Sequence, residues 1–508
     1  MNSDVAVKIK RVLVANRGEI AIRIFQGCRE RGIETVAVYS DADATAPHRY
    51  AADESVRIGP ASPTESYLRF DKIIEAALTS NSDAIHPGYG FLSENAHFAR
   101  EVEKAGLVFI GPTPEQIESM GDKVRARELM EAASVPVIPG TNSPINDEKS
   151  LLKEAKRIGF PLLLKAAGGG GGKGIRRVDQ EGDLVSAWER TRSEAQAAFG
   201  DGRIYIEKFV SPARHIEAQI IGDGHGSVWF LGERECSLQR NHQKVLEESP
   251  SPIIDENLRS QIREASIAGA ASIQYRGAGT MEFLFDEASK SFFFLEMNTR
   301  LQVEHPVTEM VSGIDLVGMQ LDVAGGRKLE HDPDVPIRGW SIEFRICAED
   351  PYNNFIPSTG QIRALRIPHA PFCRIDGSIR EGLEISPYYD PMLAKAIVWG
   401  ENRSQAIARL SALLSRLRIG GIHTTVPLGI EITNQDWFQQ GQFDIGTLET
   451  WLKSRSEKTL EPDTLQMVSA VIARHALRAS KKQSTPAAHG GGAWGKAART
   501  DGTRSPLI

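Results

Sequence analysis

The stretch PLLLKAAGGGGGKGIRRV, residues 161–178, sets five consecutive glycines, Gly168 to Gly172, between two apolar runs, and its reading decides the fold. It reads as strand, glycine loop, strand. Glycine lets backbone amides approach an anion with no Cβ in the way, while Lys165 before the run and Lys173 after it would neutralise phosphate charge. A flexible linker is the plain alternative, but linkers are seldom inserted between two hydrophobic strands, so the segment is expected to be a mobile phosphate lid. It is not a Walker A loop, because GxxxxGK[ST] needs Ser or Thr after Lys173 and Gly174 stands there.

Upstream, RVLVA (11–15), a helical pattern with Ile20, Ile24 and Cys28, and IETVAVYS (33–40) form a βαβ unit. Strand and helix keep alternating to LVFIGP (107–112), which predicts a doubly wound parallel sheet over about the first 115 residues. GxGxxG is absent, so the dinucleotide-binding version of that fold has no support. Downstream, RIYIEKFV (203–210) reads as a strand, and HIEAQIIGDGHGSVWFLGERECSLQ (215–239) and TMEFLFDEASKSFFFLEMN (280–298) read as β-hairpins, so this region is α+β. From Trp340 short strands recur, SQAIARLSALLSRL (404–417) is helical, and a third, β-rich domain to about residue 453 is expected. The segment 481–508 is Gly/Ala/Ser-rich and basic, and is expected to be flexible or partner-dependent.

The second hairpin carries a carboxylate set. Glu296 and Asn298 alternate in FFFLEMN and share a strand face that Glu282 of TMEFLF can join from a neighbouring strand. Three oxygen donors on one face suit Mg²⁺, and a solvated face is the weaker alternative because Phe283, Phe285 and Phe294 mark these strands as core. In TRLQVEHPVTE, Arg300, Gln302 and Glu304 stand at alternate positions and, if extended, face one way. An arginine there would hold a small planar oxyanion bidentately while a carboxylate beside it removes a proton, although a surface ion pair reads equally well from the segment alone. Gln239, His242 and Lys244 cluster just past a strand and His215 opens another; taken singly, each is more often structural than functional.

The chain's 508 residues imply three or four domains, and 41% hydrophobic with 25% charged residues exclude fibrous or wholly disordered classes. A formal charge of -6 gives no reason to expect nucleic acid or an anionic membrane as partner. Four scattered cysteines without a CxxC pair read as free thiols of a reducing compartment. The apolar run Val12 to Ala15 is too short for a signal-peptide core, so a cytoplasmic location is expected.

Together, MGDK (120–123), KAAGGGGGKG (165–174), CSLQRNHQKVLEE (236–248) and EMNTRLQVEHPVTE (296–309) closely resemble biotin carboxylase, an ATP-grasp enzyme. So do ANRGEIAIRI (15–24), HPGYGFLSEN (86–95) and YYDPMLAK (388–395), and the resemblance spans residues 8 to about 453 in family order. It implies an N-terminal α/β domain over 1–120, a central ATP-grasp over 121–335 with its lid at about 136–208, a C-terminal domain over 336–453, and a basic tail over 454–508 outside the family.

Residue by residue, the resemblance makes Lys123 and Lys165 phosphate-binding lysines. Glu207, Lys208 and Val210 fall where adenine is held, and Gly171, Gly172, His215, Gln239 and His242 are further nucleotide contacts. Glu282, Glu296 and Asn298 match the Mg²⁺ (or Mn²⁺) ligands. Lys244, Arg300, Gln302 and Val303 fall where bicarbonate is held, Glu304 where the general base stands, and Arg345 where an arginine steadies the biotin enolate. The implied chemistry is an ATP-dependent, ADP-forming ligation: bicarbonate deprotonated by Glu304 attacks the γ-phosphate, and carboxyphosphate yields CO₂ for biotin behind a lid that excludes water. Asn241, Thr359 and Thr425 depart from common family residues without touching an assigned step.

None of the nine methionines is followed by lysine, so the usual biotinyl Met-Lys-Met site is missing and a separate biotin carboxyl carrier protein is expected. Separate carboxyltransferase subunits and a homodimer are implied as well. Acetyl-CoA is the default final acceptor, making this an acetyl-CoA carboxylase component of fatty acid biosynthesis; a component of a pyruvate or other 2-oxoacid carboxylase is the alternative. A catalytically silent ATP-binding regulator is the reading from another class, and it needs a lost catalytic group, whereas Lys244, Arg300, Glu304 and Arg345 are all present.

Overall fold

The computed structural model describes residues 8–141, 143–167, 174–330 and 335–455. The chain divides into two units after Lys453, and everything below belongs to the first. The glycine run, with Gly171 and Gly172, and all but two residues of the expected tail lie outside the described residues.

The N-terminal region forms the expected parallel sheet. Strands β1 (Arg11–Val14), β2 (Glu34–Ser40), β3 (Glu54–Gly59), β4 (Ala84–His86) and β5 (Val108–Phe109) run in the order β3-β2-β1-β4-β5. Their continuous apolar faces, such as Val12, Leu13 and Val14, are buried on both sides, as a helix-covered parallel sheet requires. The helix Gly18–Arg29 follows β1 and buries Ile20, Ile24 and Cys28, the positions picked out by periodicity.

The glycine loop is flanked, as expected, by strands: β6 (Leu162–Ala166) and β7 (Ile175–Val178) pair antiparallel, with β8 (Ile204–Lys208) on the other side of β6. This small sheet has its own core, in which Leu162, Leu164, Leu184 and Ile206 are fully buried.

The rest hangs on one sheet of eight strands. Strands β9 (Ala213–Asp223), β10 (Val228–Arg240), β11 (Gln243–Ser249), β12 (Arg276–Asp286), β13 (Ser291–Asn298) and β14 (Trp340–Cys347) run in the order β13-β12-β9-β10-β11-β14, and Met392–Gly400 and Cys373–Gly377 complete it. The longest strands of the third region therefore extend the central sheet, β14 adding to β11 through pairs such as Glu247 with Glu343, while its short strands form three two-stranded ladders of their own. Period-2 patterning foretells that a strand exists but not its neighbour, so the shared sheet was invisible locally.

On β9 the two faces part company. Ile216, Ala218 and Ile220 join the core with Ile262 of helix Glu256–Ser272. His215, Glu217 and Gln219 point the other way and are just as buried. Among the described residues no helix is long and apolar enough to cross a membrane, and Cys28, Cys236, Cys347 and Cys373 are free thiols.

Candidate active site

The polar face of the large sheet gathers charge where water does not reach. Glu217 on β9 lies opposite Glu282 on β12, which in turn lies opposite Glu296 on β13. Between β10 and β11 the register slips by one residue from the Leu238–Leu246 pair to the Gln239–Lys244 pair. Such a bulge re-aims a side chain. Lys244 Nζ donates to Glu217, to Glu304 Oε1 at 2.7 Å and to Glu282 Oε1 at 3.1 Å. Arg234, fully buried, grips the same group from behind, donating to Glu217 Oε2 at 3.1 Å, Gln219 Oε1 at 2.6 Å and Gln302 Oε1 at 3.2 Å.

Burying an ion is costly unless it is paired, and the pairing sets each protonation state. Burial alone would raise Glu304, but Lys244 and Arg345 reverse this and hold it below the usual carboxylate range. Glu282 is likewise pushed up by burial and brought well below its ordinary value by Lys244 and His215. Burial opposes the charge on Lys244 itself, yet Glu217, Glu282 and Glu304 raise it well above a normal lysine. His215 sits with Nε2 2.9 Å from Glu282 Oε2 and Nδ1 2.7 Å from Gln239 Nε2, and Glu282 raises it against burial.

Arg345, on β14, reaches both Glu247 Oε1 from Nε (2.6 Å) and Glu304 Oε2 from NH2 (3.0 Å). Glu247 is pushed up to about 7 by burial, Arg345 pulling the other way. Lys244, His242, Arg300, Val303 and Arg345 line a cavity of about 280 Å³ that runs to Met392 and Thr425. Arg300 is steered by Glu94 (2.9 Å) and by Asn298 Oδ1 (2.9 Å).

A second cavity of about 240 Å³ lies beneath the glycine-loop sheet, lined by Lys123, Lys165, Glu207, Glu296 and Asn298 over an apolar floor of Ile117, Met120 and Phe294. Lys165 on β6 donates to Glu207 on β8, and Lys123 is 3.8 Å from Glu296. Lys208 instead donates to the Gly159 and Phe160 carbonyls at 3.3 and 3.0 Å, and Val210 follows just past β8.

The donors at the boundary of the two cavities fit a hard divalent cation. Glu282 and Glu296 carry carboxylate oxygens, and Asn298, whose Nδ2 donates to Glu282 Oε1 at 2.8 Å while its Oδ1 accepts from Arg300, would have to turn its oxygen to join them; Glu296 is raised first by burial and then by the charge of Glu282, a repulsion that a cation would relieve.

Of the expected residues, Lys123, Lys165, Glu207, Glu296 and Asn298 meet at one cavity and His242, Lys244, Arg300, Val303 and Arg345 at the other, whereas Lys208 and Val210 line neither. Arg300, Gln302 and Glu304 are not on an extended strand: residues 299–304 are loop and turn, and Glu304 precedes the helix His305–Ser312. They meet because each is tethered separately, Gln302 donating to Glu282 Oε1 at 2.9 Å. Glu217, Arg234, Glu247 and Glu94 were not foreseen. A charged residue at alternate spacing in an apolar strand, as Glu217 stands to His215, was the available signal, and it reads locally as a solvent face.

Comparisons with known proteins agree with this geometry. Residues 8–117 match the family model "Biotin carboxylase, N-terminal domain", 122–332 match "Carbamoyl-phosphate synthase L chain, ATP binding domain", and 343–450 match "Biotin carboxylase C-terminal domain". Biotin carboxylase 1 of Bacillus subtilis is 47% identical over 444 residues, 87% of this chain and 99% of the relative. A pyruvate carboxylase component of Methanothermobacter thermautotrophicus is 47% identical over 433 residues, 85% of this chain and 88% of the relative. Among solved structures, the biotin carboxylase domain dimer of Hydrogenobacter thermophilus 2-oxoglutarate carboxylase, in complex with MgADP, ADP and bicarbonate, is 44% identical with a TM-score of 0.82, covering 88% of this chain and 99% of that one.

Proposed function

The chain belongs to the biotin carboxylase family, and from that premise we propose that it is an ATP-dependent, ADP-forming ligase that carboxylates biotin with bicarbonate, in the cytoplasm, on a separate carrier protein. The observation that carries this is the single carboxylate Glu304, kept ionised between Lys244 and Arg345, which both line one cavity. The second cavity, with Lys123 and Lys165, has Glu296 and Asn298 in its wall.

In the proposed mechanism Lys123 and Lys165 hold the nucleotide phosphates, and Glu207, Lys208 and Val210 receive the adenine beneath the loop that carries Gly171 and Gly172. His215, Gln239 and His242 would add further contacts to the nucleotide. Glu282, Glu296 and Asn298 would hold Mg²⁺, which supplies charge neutralisation of the phosphates when bound. Bicarbonate is held by Lys244, which now bonds Glu304, together with Arg300, Gln302 and Val303. Glu304, ionised at neutral pH, accepts its proton, and the resulting dianion attacks the γ-phosphate to give ADP and carboxyphosphate. Carboxyphosphate then releases CO₂ and phosphate, phosphate removes the ureido proton of biotin, and Arg345 steadies the enolate as it attacks CO₂. The expected limits 1–120, 121–335 and 336–453 go with this reading as its three parts.

Acetyl-CoA is the final acceptor we propose, through carboxyltransferase subunits, with the enzyme acting as a homodimer. A 2-oxoacid acceptor is the second reading, supported by the likeness to the methanobacterial pyruvate carboxylase component and the 2-oxoglutarate carboxylase domain. The test of the activity is bicarbonate-dependent ATP hydrolysis with and without free biotin; no stimulation by biotin sinks the proposal. Co-purification with the native carboxyltransferase decides the acceptor.

A further inference from the structure

Val303 immediately precedes Glu304, and its backbone carbonyl accepts a 2.8 Å hydrogen bond from Lys395 Nζ. Lys395 belongs to the strand Met392–Gly400, directly across from Arg345 on β14. Its side chain is fully buried, and its neighbours on that strand, Leu393, Ala394, Ala396, Ile397 and Val398, are apolar. Glu19 Oε1, on the first turn of the helix Gly18–Arg29, lies 3.3 Å from the ammonium and also accepts from the Tyr89 hydroxyl, and the buried carboxylates Glu343 and Asp376 act on the ammonium as well. Packing alone does not account for such a lysine. A buried ammonium carries a large desolvation cost that a methionine of similar length would avoid.

The geometry points to Lys395 as a positioning residue for Glu304: its ammonium fixes the Val303–Glu304 peptide, and Glu19 in turn fixes the ammonium. The Glu304 carboxylate hangs from that peptide, so letting the carbonyl rotate swings the carboxylate away from Lys244 and Arg345. Neither Lys395 nor Glu19 lines the two cavities, so neither touches nucleotide or bicarbonate. The inference rests on the reading of Glu304 as the base.

The test compares full-length wild type, Glu304→Gln, Lys395→Met and Glu19→Gln for bicarbonate-dependent ATP hydrolysis with free biotin, KM for ATP and thermal unfolding. A misplacement of about 1 Å costs on the order of 100-fold, so Lys395→Met is expected to lose about that in kcat with the KM for ATP within about twofold. Glu19→Gln, which leaves Lys395 its carbonyl partner, is expected to lose about tenfold with the same split. A folded Lys395→Met with kcat within about threefold of wild type overturns the inference, as does a parallel loss of kcat and ATP affinity, the signature of a mere strut. Should Lys395→Met fail to fold, Glu19→Gln decides, and wild-type kcat there overturns it. Wild type without biotin stimulation brings down the functional reading instead, and an active Glu304→Gln brings down the base assignment.

Discussion

Replacing Glu304 by glutamine keeps its shape and removes its charge and basicity. The carboxylate is buried, 2.7 Å from Lys244 and 3.0 Å from Arg345, so no water stands ready to replace it. A positioned general base contributes about 10²–10⁴-fold, so Glu304→Gln is expected to lose that much in kcat, roughly 3–5 kcal/mol of barrier. The KM for ATP should stay within about twofold, because Glu304 does not line the cavity that holds Lys123, Lys165 and Glu207. The pH dependence follows from the sign of the shift. With its folded pKa depressed, Glu304 is ionised throughout the neutral range. The stability it contributes is therefore present above the unfolded value of about 4.3 and is lost only as pH falls through the lower folded value. Hence the thermal-stability deficit of Glu304→Gln is constant from about pH 8 to about pH 9, above the titration of Glu247, which the charge of Glu304 helps to push up to about 7. The kcat deficit, by contrast, narrows as rising pH ionises bicarbonate without enzymic help. Steady-state ATP hydrolysis with bicarbonate and free biotin across that range, alongside thermal unfolding, checks both. A kcat loss below about tenfold, or one matched by an equal loss of ATP affinity, refutes the role of Glu304 as base.

Arg345→Lys replaces a fork that reaches Glu247 and Glu304 together by a single ammonium. Biotin-dependent turnover is expected to fall about 10²–10³-fold while the slow biotin-independent hydrolysis of ATP is kept; equal losses in both would place Arg345 in the first step instead. Glu247, pushed up to about 7, costs stability progressively as pH rises from its unfolded value of about 4.3 to 7. Thermal unfolding of Glu247→Gln relative to wild type should therefore improve between about pH 5 and about pH 8, and a flat difference would mean an ordinary carboxylate.

How far the sequence reaches is set by the range of its signals. Glu282, Glu296 and Asn298 were legible because strand alternation and a short turn fix their common face, and Lys165 because the glycine run beside it has no good structural use. Roles for Lys244, Arg300 and Glu304 came from family likeness, since Lys244 is re-aimed by a bulge and Arg300 and Glu304 stand in a loop that local spacing misread as extended. Lys395 and Glu343 were out of reach altogether. Lys395 meets Val303 and Glu19, about ninety and more than three hundred residues away, and Glu343 comes to lie beside Lys395 only when β14 joins Met392–Gly400, contacts that no local pattern encodes.

The shared eight-stranded sheet also limits how this molecule can move. Lys244 on β11 and Arg345 on β14 stand on adjacent hydrogen-bonded strands, at a spacing of about 4.8 Å that changes only if the ladder between them is torn. Rocking of the C-terminal region as a body against the central one is therefore not open to it. Any hinge must lie elsewhere, at the connections into the separate sheets β7-β6-β8 and β3-β2-β1-β4-β5. Lys244 and Arg345 are thus mounted on one rigid plate, and a ligand that touches both meets two charges whose separation the fold itself has fixed.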